Sequence, residues 1–310
     1  MCHDRDMALD PAVAAFLTQI EAAGTPPLHE QTLEDARLGM DMLAPLCGEG
    51  GDVASVEERE IGGVGSIIYT PHGVGPFPVL IYIHGGGWTI GGPQHYHGVS
   101  RDLAAGAGCI VVSLDYRLAP EHKAPAAVDD CLAATVWVLD HAVELGGDPA
   151  RVAVGGDSAG GNLSALVAQA FGSRLVFQLL IYPATDLTMQ SPSVAENADG
   201  YFLTKSAMEW LTGHYLDGSG VGPENARVSP LRASDEVIAA VPPAFVITAE
   251  YDPLRDEGEA YAERMRSLGV DVTMRRFPGQ IHGFYGFRLA LPAAGAAIDQ
   301  SVSLLRAAFA

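Results

Sequence analysis

The chain has 310 residues, of which 48% are hydrophobic and 18% are charged, a composition typical of a folded protein rather than a disordered one. Its formal net charge of −20, from 38 acidic residues against 18 lysines and arginines, argues against nucleic acid and anionic membranes as partners. No apolar run approaches the roughly 20 residues that cross a bilayer, and the N-terminus lacks a signal-peptide pattern. The four cysteines (Cys2, Cys47, Cys109 and Cys131) show no paired spacing. We therefore expect a cytoplasmic protein.

Helices are predicted at the start of the chain. Apolar residues of the first helix recur at the spacing of one helical face, at Val13, Phe16, Leu17 and Ile20. The glycine and prolines of residues 24–27 end this helix, and a second helical stretch covers residues 31–46. Because these helices stand outside the pattern of the rest of the chain, we interpret residues 1–50 as part of a cap.

From residue 51 onwards, predicted strands and helices alternate. The predicted strands are residues 56–61, 66–70, 78–83, 109–114, 152–154, 177–182, 244–249 and 272–277. Helices are predicted at residues 126–145, directly after Ser158, at residues 255–268 and at residues 291–309. Such alternation implies right-handed crossovers and a mostly parallel sheet with helices on both faces. The fold class is therefore α/β, with residues 51–310 as one domain.

One segment interrupts this alternation, at about residues 186–242. It follows a central strand and contains a predicted helix at residues 205–216. An insertion at this point lies over the carboxyl edge of the sheet, where open α/β folds bind their ligands. We interpret the segment as the second part of the cap.

A nucleophile elbow is predicted around Ser158. The short apolar strand at residues 152–154 runs into Gly155-Gly156-Asp157-Ser158-Ala159-Gly160-Gly161, and a helix follows. A strand, a sharp turn with a serine at its tip and a helix form such an elbow, and glycines flank the tip because β-carbons would clash there. In a glycine-rich chain of this length the motif arises by chance in roughly one sequence in five. Whether Ser158 is a nucleophile therefore depends on whether the rest of the chain supplies its catalytic partners.

A serine nucleophile needs a base and a carboxylate that orients the base. His282 follows the last predicted strand, and Asp252 follows the strand at residues 244–249. The chain order Ser158, Asp252, His282 is the order of α/β-hydrolases. Alone, His282 could equally be a surface-loop histidine and Asp252 a helix N-cap. Asp256 is the rival acid, about one turn inside the helix.

Donors for the developing oxyanion are predicted in the loop His84-Gly85-Gly86-Gly87, which follows the strand at residues 78–83. Backbone amides suit this task because they are neutral, fixed and small. We expect the amides of Gly85, Gly86 and Ala159 to form the oxyanion hole, with His84 as a structural support of the loop. The alternative is a phosphate-binding loop, which would require a Lys-Ser or Lys-Thr pair that the sequence does not have after the glycines.

Five motifs along the chain occur together in one known family. They are His84-Gly85-Gly86-Gly87, Asp115-Tyr116-Arg117-Leu118-Ala119-Pro120-Glu121, Gly156-Asp157-Ser158-Ala159-Gly160-Gly161, Asp252-Pro253-Leu254-Arg255-Asp256-Glu257 and Ile281-His282-Gly283-Phe284. Over roughly residues 50–310 the chain resembles the bacterial esterases similar to mammalian hormone-sensitive lipase. The resemblance implies a capped α/β-hydrolase fold, the triad Ser158, Asp252 and His282, and the oxyanion hole named above. It also implies a carboxylesterase for short- to medium-chain esters that needs neither a metal nor an organic cofactor.

Further expectations concern the surroundings of the triad. The residues predicted to line the substrate pocket are Trp88, Tyr182, Leu203, Met208 and Ile281. Gln280, two positions before the predicted base, is expected to alter the polarity of the pocket. Asp115, Arg117 and Glu121 are expected to form an ionic network behind the site.

Other functions remain open at this point. The same triad attacks other activated acyl groups, so the protein could be an amidase, a formamidase or a lactonase. A different class of function is a small-molecule receptor that has lost turnover, but receptors resembling this family lack the catalytic histidine, and His282 is present. The expected partner is a small ester rather than nucleic acid or a membrane, and a homodimer is left open.

Overall fold

The fold is known from a computed structural model that describes residues 8–310. The predictions that concern the first seven residues, including the state of Cys2, lie outside the described residues. The strands are β1 (Ser55–Ile61), β2 (Val64–Thr70), β3 (Phe77–Ile83), β4 (Ile110–Asp115), β5 (Gly147–Asp157), β6 (Phe177–Ile181), β7 (Ala244–Tyr251) and β8 (Val272–Ile281).

These strands form a single sheet in the order β1-β2-β4-β3-β5-β6-β7-β8. β2 pairs antiparallel with β1 and β4, and the five other pairs are parallel. The predicted α/β class and the mostly parallel sheet are therefore confirmed. Because β3, β5, β6, β7 and β8 are parallel neighbours, the loops that follow them meet at one edge of the sheet.

Helices cover both faces of this sheet. They are α1 (Pro11–Ala22), α2 (Leu33–Leu43), α3 (His97–Ala107), α4 (Ala126–His141), α5 (Ala159–Phe171), α6 (Pro192–Glu196), α7 (Lys205–Leu216), α8 (Asp235–Ala239), α9 (Arg255–Ser267) and α10 (Ala293–Phe309). The segment at residues 186–242 holds α6, α7 and α8, and within it the structure has helices and loops but no strand.

Helix α3 was not predicted from the sequence. Its buried residues Val99, Leu103 and Ala107 follow a helical spacing, but Gly98 and Gly106 lower the helix propensity of the segment. The structure explains both glycines. A β-carbon on Gly106 would lie 2.6 Å from Cγ2 of Val302 in α10, and one on Gly98 would lie 2.2 Å from the Gly48 carbonyl oxygen. Gly106 therefore permits close packing of α3 on α10, and Gly98 permits close approach of the backbone at Gly48, at the expense of local helix propensity.

The core consists of two layers, one on each face of the sheet. Along β3, Val79 and Ile81 pack with α4, α5 and α9, whereas Leu80 and Tyr82 pack with α1, α3 and α10. This alternation follows from the two-residue period of a strand. Both faces of β3 are apolar because both are covered, as in other parallel sheets.

Two further properties bear on the environment of the protein. None of the helices in residues 8–310 combines the length and the apolar character that a membrane-spanning helix requires. Cys47, Cys109 and Cys131 are buried and carry unpaired thiols.

Candidate active site

Ser158 stands at a sharp turn between β5 and α5. Its backbone has φ +57° and ψ −119°, a strained conformation for a residue with a β-carbon. The neighbouring glycines allow another segment of the chain to approach closely, because a β-carbon on Gly156 would lie 2.2 Å from the Ile83 carbonyl oxygen. On Gly160 it would lie 1.9 Å from the same oxygen. The local geometry is that of the predicted nucleophile elbow.

His282 connects Ser158 to Asp252. The Ser158 hydroxyl donates to Nε2 of His282 over 2.9 Å, and Nδ1 of His282 donates to Oδ2 of Asp252 over 2.8 Å. This direction follows from the carboxylate, which can only accept and so fixes the proton on Nδ1. His282 is 6% exposed and Asp252 is fully buried, so His282 is not a surface-loop histidine.

Asp252 also organises the start of α9, as the alternative interpretation of this residue suggested. Its Oδ1 accepts the amide of Leu254 over 2.8 Å, while Oδ2 accepts from His282. One carboxylate therefore holds the helix entrance and the imidazole at once. Asp256, the rival acid, instead accepts the Ser193 amide and a hydrogen bond from Arg255.

The loop after β3 supplies backbone amides next to Ser158. The Gly85 amide donates to Oδ1 of Asp157 over 3.0 Å, so it is not available to an oxyanion. The amides of Gly86 and Gly87 donate to no acceptor among the described residues. The prediction of Gly85 is therefore wrong, because this amide holds the loop in place. Gly86, Gly87 and Ala159 carry the amides that remain unused beside Ser158.

Asp157 is the buried anchor of this loop. Besides the Gly85 amide, it accepts the hydroxyls of Tyr82 and Tyr96, each over 3.1 Å. Burial raises the pKa of Asp157 to about 6, although its hydrogen bonds and the nearby His282 lower it. Asp157 thus acts as a hydrogen-bond acceptor, and the glycine motif alone does not indicate this role.

His84 supports the same loop from the opposite side. Its Nδ1 lies 2.7 Å from the Gly85 carbonyl oxygen, and its ring stacks on Tyr116 at 4.3 Å between centroids. Burial lowers the pKa of His84 to about 4, so the ring is neutral and Nδ1 donates to the carbonyl. These contacts fit the structural role expected for His84.

Comparison with known proteins decides the family. The family model described as alpha/beta hydrolase fold matches residues 80–286, about two thirds of the chain. The chain belongs to the α/β-hydrolase family. Together with the five motifs, its relatives place this hydrolase in the branch similar to hormone-sensitive lipase.

Three relatives of the hydrolase illustrate this placement. Carboxylesterase NlhH of Mycobacterium tuberculosis is 44% identical over 263 residues, which cover 82% of each protein. The solved ester hydrolase EH1AB1 from the metagenome of Lake Arreo, in complex with a bipyridine phosphonate derivative, is 40% identical with a TM-score of 0.92, and the alignment covers 97% of this chain and 99% of that one. A thermostable esterase from Pseudomonas putida is 36% identical with a TM-score of 0.90, over 98% of this chain and 99% of that one.

A small cavity of about 40 Å³ opens beside Ser158 of the hydrolase. Of the five predicted pocket residues, Trp88, Leu203 and Met208 lie in its wall. Tyr182 and Ile281 do not: the Tyr182 ring packs on His282 at 4.6 Å, and Ile281 is fully buried in the core. The prediction of these two residues did not include side-chain directions, because position along the chain does not tell which way a side chain points.

Several residues of the cavity wall were missed from the sequence. They are Ala184, Asp186, Leu187, Met189, Leu211, Thr212, Leu254 and Glu257. The resemblance included Leu254 and Glu257 in a motif, but local sequence patterns do not reveal that the start of α9 faces Ser158. Gln280 is absent from the wall, since its Nε2 donates to Asp10 at 3.2 Å on the side of α1.

The expected ionic network behind the site does not form. Arg117 pairs with Asp130, with a shortest distance of 2.6 Å, and Glu121 pairs with Arg37 of α2 at 2.7 Å. Asp115 is exposed, and its carboxylate forms no ion pair within the described chain. The three charges of the motif do not meet because Arg117 and Glu121 pair with residues outside the motif, whereas Asp115 is exposed to solvent.

Residues 8–310 hold no group of three or more histidine, cysteine, aspartate or glutamate side chains arranged to bind a metal ion.

Proposed function

We propose that this hydrolase is a serine carboxylesterase that cleaves small carboxylic esters through Ser158, His282 and Asp252. The observation that carries the proposal is the continuous hydrogen-bonded chain Ser158–His282–Asp252, with distances of 2.9 and 2.8 Å. A serine hydroxyl is a weak nucleophile, and an adjacent base that is itself oriented by a carboxylate activates it. The activities of the named relatives support the ester as the substrate.

Acylation begins when Oγ of Ser158 attacks the ester carbonyl and Nε2 of His282 takes its proton. The carboxylate of Asp252 then stabilises the imidazolium. The negative charge on the carbonyl oxygen is met by the amides of Gly86, Gly87 and Ala159. Each such donor contributes about 3 kcal/mol to transition-state stabilisation.

Acylation ends with loss of the alcohol, and deacylation then repeats these steps with water. His282 first donates its proton to the leaving alkoxide, which departs as the alcohol and leaves the acyl group on Ser158. The neutral imidazole then removes a proton from water, which attacks the acyl carbonyl. Collapse of the second tetrahedral intermediate returns the proton to Oγ and releases the carboxylic acid.

The size of the cavity supports short- to medium-chain acyl groups. A volume of about 40 Å³ has room for only about three water molecules, so a long chain requires movement of the wall. Leu203, Met208 and Leu211 form much of that wall and come from the segment at residues 186–242. We therefore retain residues 1–50 and 186–242 as a cap over the catalytic domain, of which the second part limits chain length.

Active-site labelling tests the proposal. We expect a p-nitrophenyl alkylphosphonate to release one equivalent of p-nitrophenol and to add its phosphonyl mass to the Ser158 peptide. Ser158→Ala should remain unlabelled, whereas the matched control Ser267→Ala, at an exposed serine of α9, should label like the wild type. Labelling of Ser158→Ala to the same extent would overturn the assignment of the nucleophile.

We also propose a cytoplasmic location and small-molecule partners only. Three buried unpaired thiols fit a reducing compartment, and the net charge of −20 opposes binding to nucleic acid. Amide and lactone substrates, assayed beside the esters, distinguish the alternative activities of the same triad. Analytical ultracentrifugation tests the homodimer.

A further inference from the structure

Glu257 lies in the wall of the cavity that contains Ser158 and has a buried carboxyl group. It lies on the first turn of α9, opposite Asp186, and both residues line the cavity. Glu257 is only 1% exposed. A buried carboxyl group next to a substrate cavity requires an explanation, because a buried polar group without a hydrogen-bond partner is costly.

The two oxygen atoms of Glu257 differ in their surroundings. Oε1 accepts the amides of Thr185 and Asp186, over 2.7 and 3.1 Å. Oε2 is buried and has no hydrogen-bond partner within residues 8–310. One carboxyl oxygen of Glu257 is therefore held by backbone amides, whereas the other has no partner within residues 8–310.

The charges around Glu257 indicate its protonation state. Burial, together with the negative charges of Asp186 and Asp252, raises the pKa of Glu257 to about 8, despite the two amide hydrogen bonds. Burial would also raise the pKa of Asp186, but hydrogen bonds from Arg232 and Thr188 outweigh it and hold that pKa below its usual value. Glu257 is thus the neutral acid of the pair near pH 7.

The proton of this neutral acid has one suitable position. Because both amides donate to Oε1, the proton resides on Oε2, which then presents an O–H donor. Such a donor binds a carbonyl, ether or hydroxyl oxygen. Neutral carboxylic acids kept protonated by their surroundings act as hydrogen-bond donors in other enzyme sites.

The cavity holds the acyl chain rather than the alcohol. Its wall includes Ser158 and Ala159, the sites of the covalent bond and of an oxyanion donor, but His282 is not part of it. The leaving alcohol must lie next to His282, which protonates it. A chain in this cavity therefore belongs to the acyl group.

Building on the proposed esterase activity, we propose that Glu257 is a specificity-determining residue whose Oε2 binds an oxygen atom in the acyl chain of the substrate. The preferred substrates are then esters of oxo, alkoxy or hydroxy acids, rather than plain alkanoate esters of the same length. A plain alkyl chain would cover Oε2 and leave its O–H without an acceptor, which disfavours binding.

The test compares two substrates that differ at one chain position. p-Nitrophenyl 4-methoxybutanoate and p-nitrophenyl hexanoate have the same number of chain atoms, and only an ether oxygen replaces a methylene. The measured quantity is the ratio of their kcat/KM values. At pH 6.5 we expect Glu257→Met to lower this ratio about tenfold, the value of one hydrogen bond of about 1.4 kcal/mol.

Glu257→Gln separates hydrogen bonding from packing. Its amide oxygen can accept from Thr185 and Asp186, and its NH₂ group can donate where the O–H does, so we expect a ratio within about threefold of the wild type. Glu263→Gln, on the exposed part of α9, is the matched control and should leave the ratio unchanged. Circular dichroism establishes that each variant is folded.

The pH dependence of the wild-type ratio is a second readout, and it does not depend on whether a variant folds. Between pH 6.5 and pH 9 the wild-type ratio should fall, because ionised Glu257 repels an acceptor oxygen, whereas the ratio of Glu257→Gln should stay constant. The other ionisable groups that face Glu257 are Asp186, paired with Arg232, and Asp252, paired with His282.

The possible outcomes are distinct. A ratio that is the same for the wild type, Glu257→Gln and Glu257→Met, and constant from pH 6.5 to pH 9, would overturn the role of Glu257 but leave the esterase intact. Failure of the wild type to hydrolyse either ester would instead overturn the proposed function itself.

Discussion

The amide of Gly85 donates a hydrogen bond to the side chain of Asp157 over 3.0 Å. Asp157 immediately precedes Ser158, and Gly85 immediately precedes Gly86 and Gly87, whose amides we assign to the oxyanion hole. One buried carboxylate therefore links the nucleophile elbow to the loop that carries the oxyanion donors. The distance between the attacking oxygen and these donors depends on that link.

Replacement of Asp157 should slow the chemical step more than it weakens substrate binding. We expect Asp157→Ala to lower kcat about 100-fold with little change in KM, because a shift of about 1 Å at the donors has an effect of that size. Unfolding measurements should also show a loss of about 1–3 kcal/mol for each buried donor left without its acceptor. Asp157→Asn, whose oxygen can still accept the Gly85 amide, is the matched control and should retain most of kcat. Wild-type kcat in Asp157→Ala would contradict this role.

Arg37 fastens α2 to the loops that surround the site. Its guanidinium donates twice to Glu121, over 2.7 and 2.8 Å, and to the Thr89 carbonyl over 3.1 Å. We expect Arg37→Ala to raise KM several-fold and to reduce stability by up to about 1 kcal/mol, since the ion pair is partly exposed. Arg37→Lys should not restore KM, because an ammonium cannot reproduce the planar fork.

Arg117→Ala is the control for the effect predicted for Arg37→Ala. The half-exposed guanidinium of Arg117 binds the buried carboxylate of Asp130 and makes no contact with the glycine loop among the described residues. We expect a small loss of stability and an unchanged KM. If Arg117→Ala raised KM as much as Arg37→Ala, the specific role of the α2 connection would be wrong.

The buried imidazole of His84 should make the protein less stable in acid. Its pKa is lowered to about 4 from a usual value of 6.5, so between these values the unfolded chain binds a proton that the folded protein does not. The corresponding stability is complete above pH 6.5 and is lost as the pH falls towards 4, at no more than about 1.4 kcal/mol per pH unit.

Urea unfolding of His84→Phe between pH 7 and pH 4.5 measures this contribution. The phenyl ring can stack on Tyr116 but cannot titrate, so the stability of the variant should depend less steeply on pH than that of the wild type. Parallel slopes for the wild type and His84→Phe would contradict the prediction.

Most of the fold could be predicted because it depends on local patterns. Buried strands such as β3 and β4 are continuous apolar runs, and Ser158, Asp252 and His282 each follow a strand whose carboxyl end is recognisable. Helix α3 escaped prediction because Gly106 serves packing against α10, which the local sequence does not reveal. Local propensity and tertiary packing conflict at that position, and packing prevails.

The details of the site were less predictable because they depend on the directions of atoms. Three consecutive glycines gave no indication that the Gly85 amide turns towards Asp157 while the next two do not. Similarly, Tyr182 is near His282 in space, but its ring lies behind the imidazole rather than in the cavity. The partners of Arg117 and Glu121 lie in two different helices outside their motif, α4 and α2.

Substitution of a glycine of the elbow should affect folding and activity far more than substitution of a glycine at an open position of a helix. Gly160→Ala would place a β-carbon 1.9 Å from the Ile83 carbonyl oxygen, so we expect loss of folding or of nearly all activity. In α2, a β-carbon on Gly39 would meet nothing within 4 Å, and Gly39→Ala should raise stability by up to about 1 kcal/mol. Thermal unfolding and esterase assays of both variants test the contrast, and a folded, fully active Gly160→Ala would refute the need for glycine there.

The central claim is that Ser158 forms an acyl-enzyme with help from His282 and Asp252. The most direct measurement is kcat/KM for p-nitrophenyl esters of graded chain length, on the wild type and on Ser158→Ala with correct folding established. We predict that Ser158→Ala reduces kcat/KM at least 1,000-fold, and that the wild type prefers short to medium chains. Undiminished hydrolysis by Ser158→Ala would contradict the claim, and a maximum at long chains would contradict the assignment of the cavity.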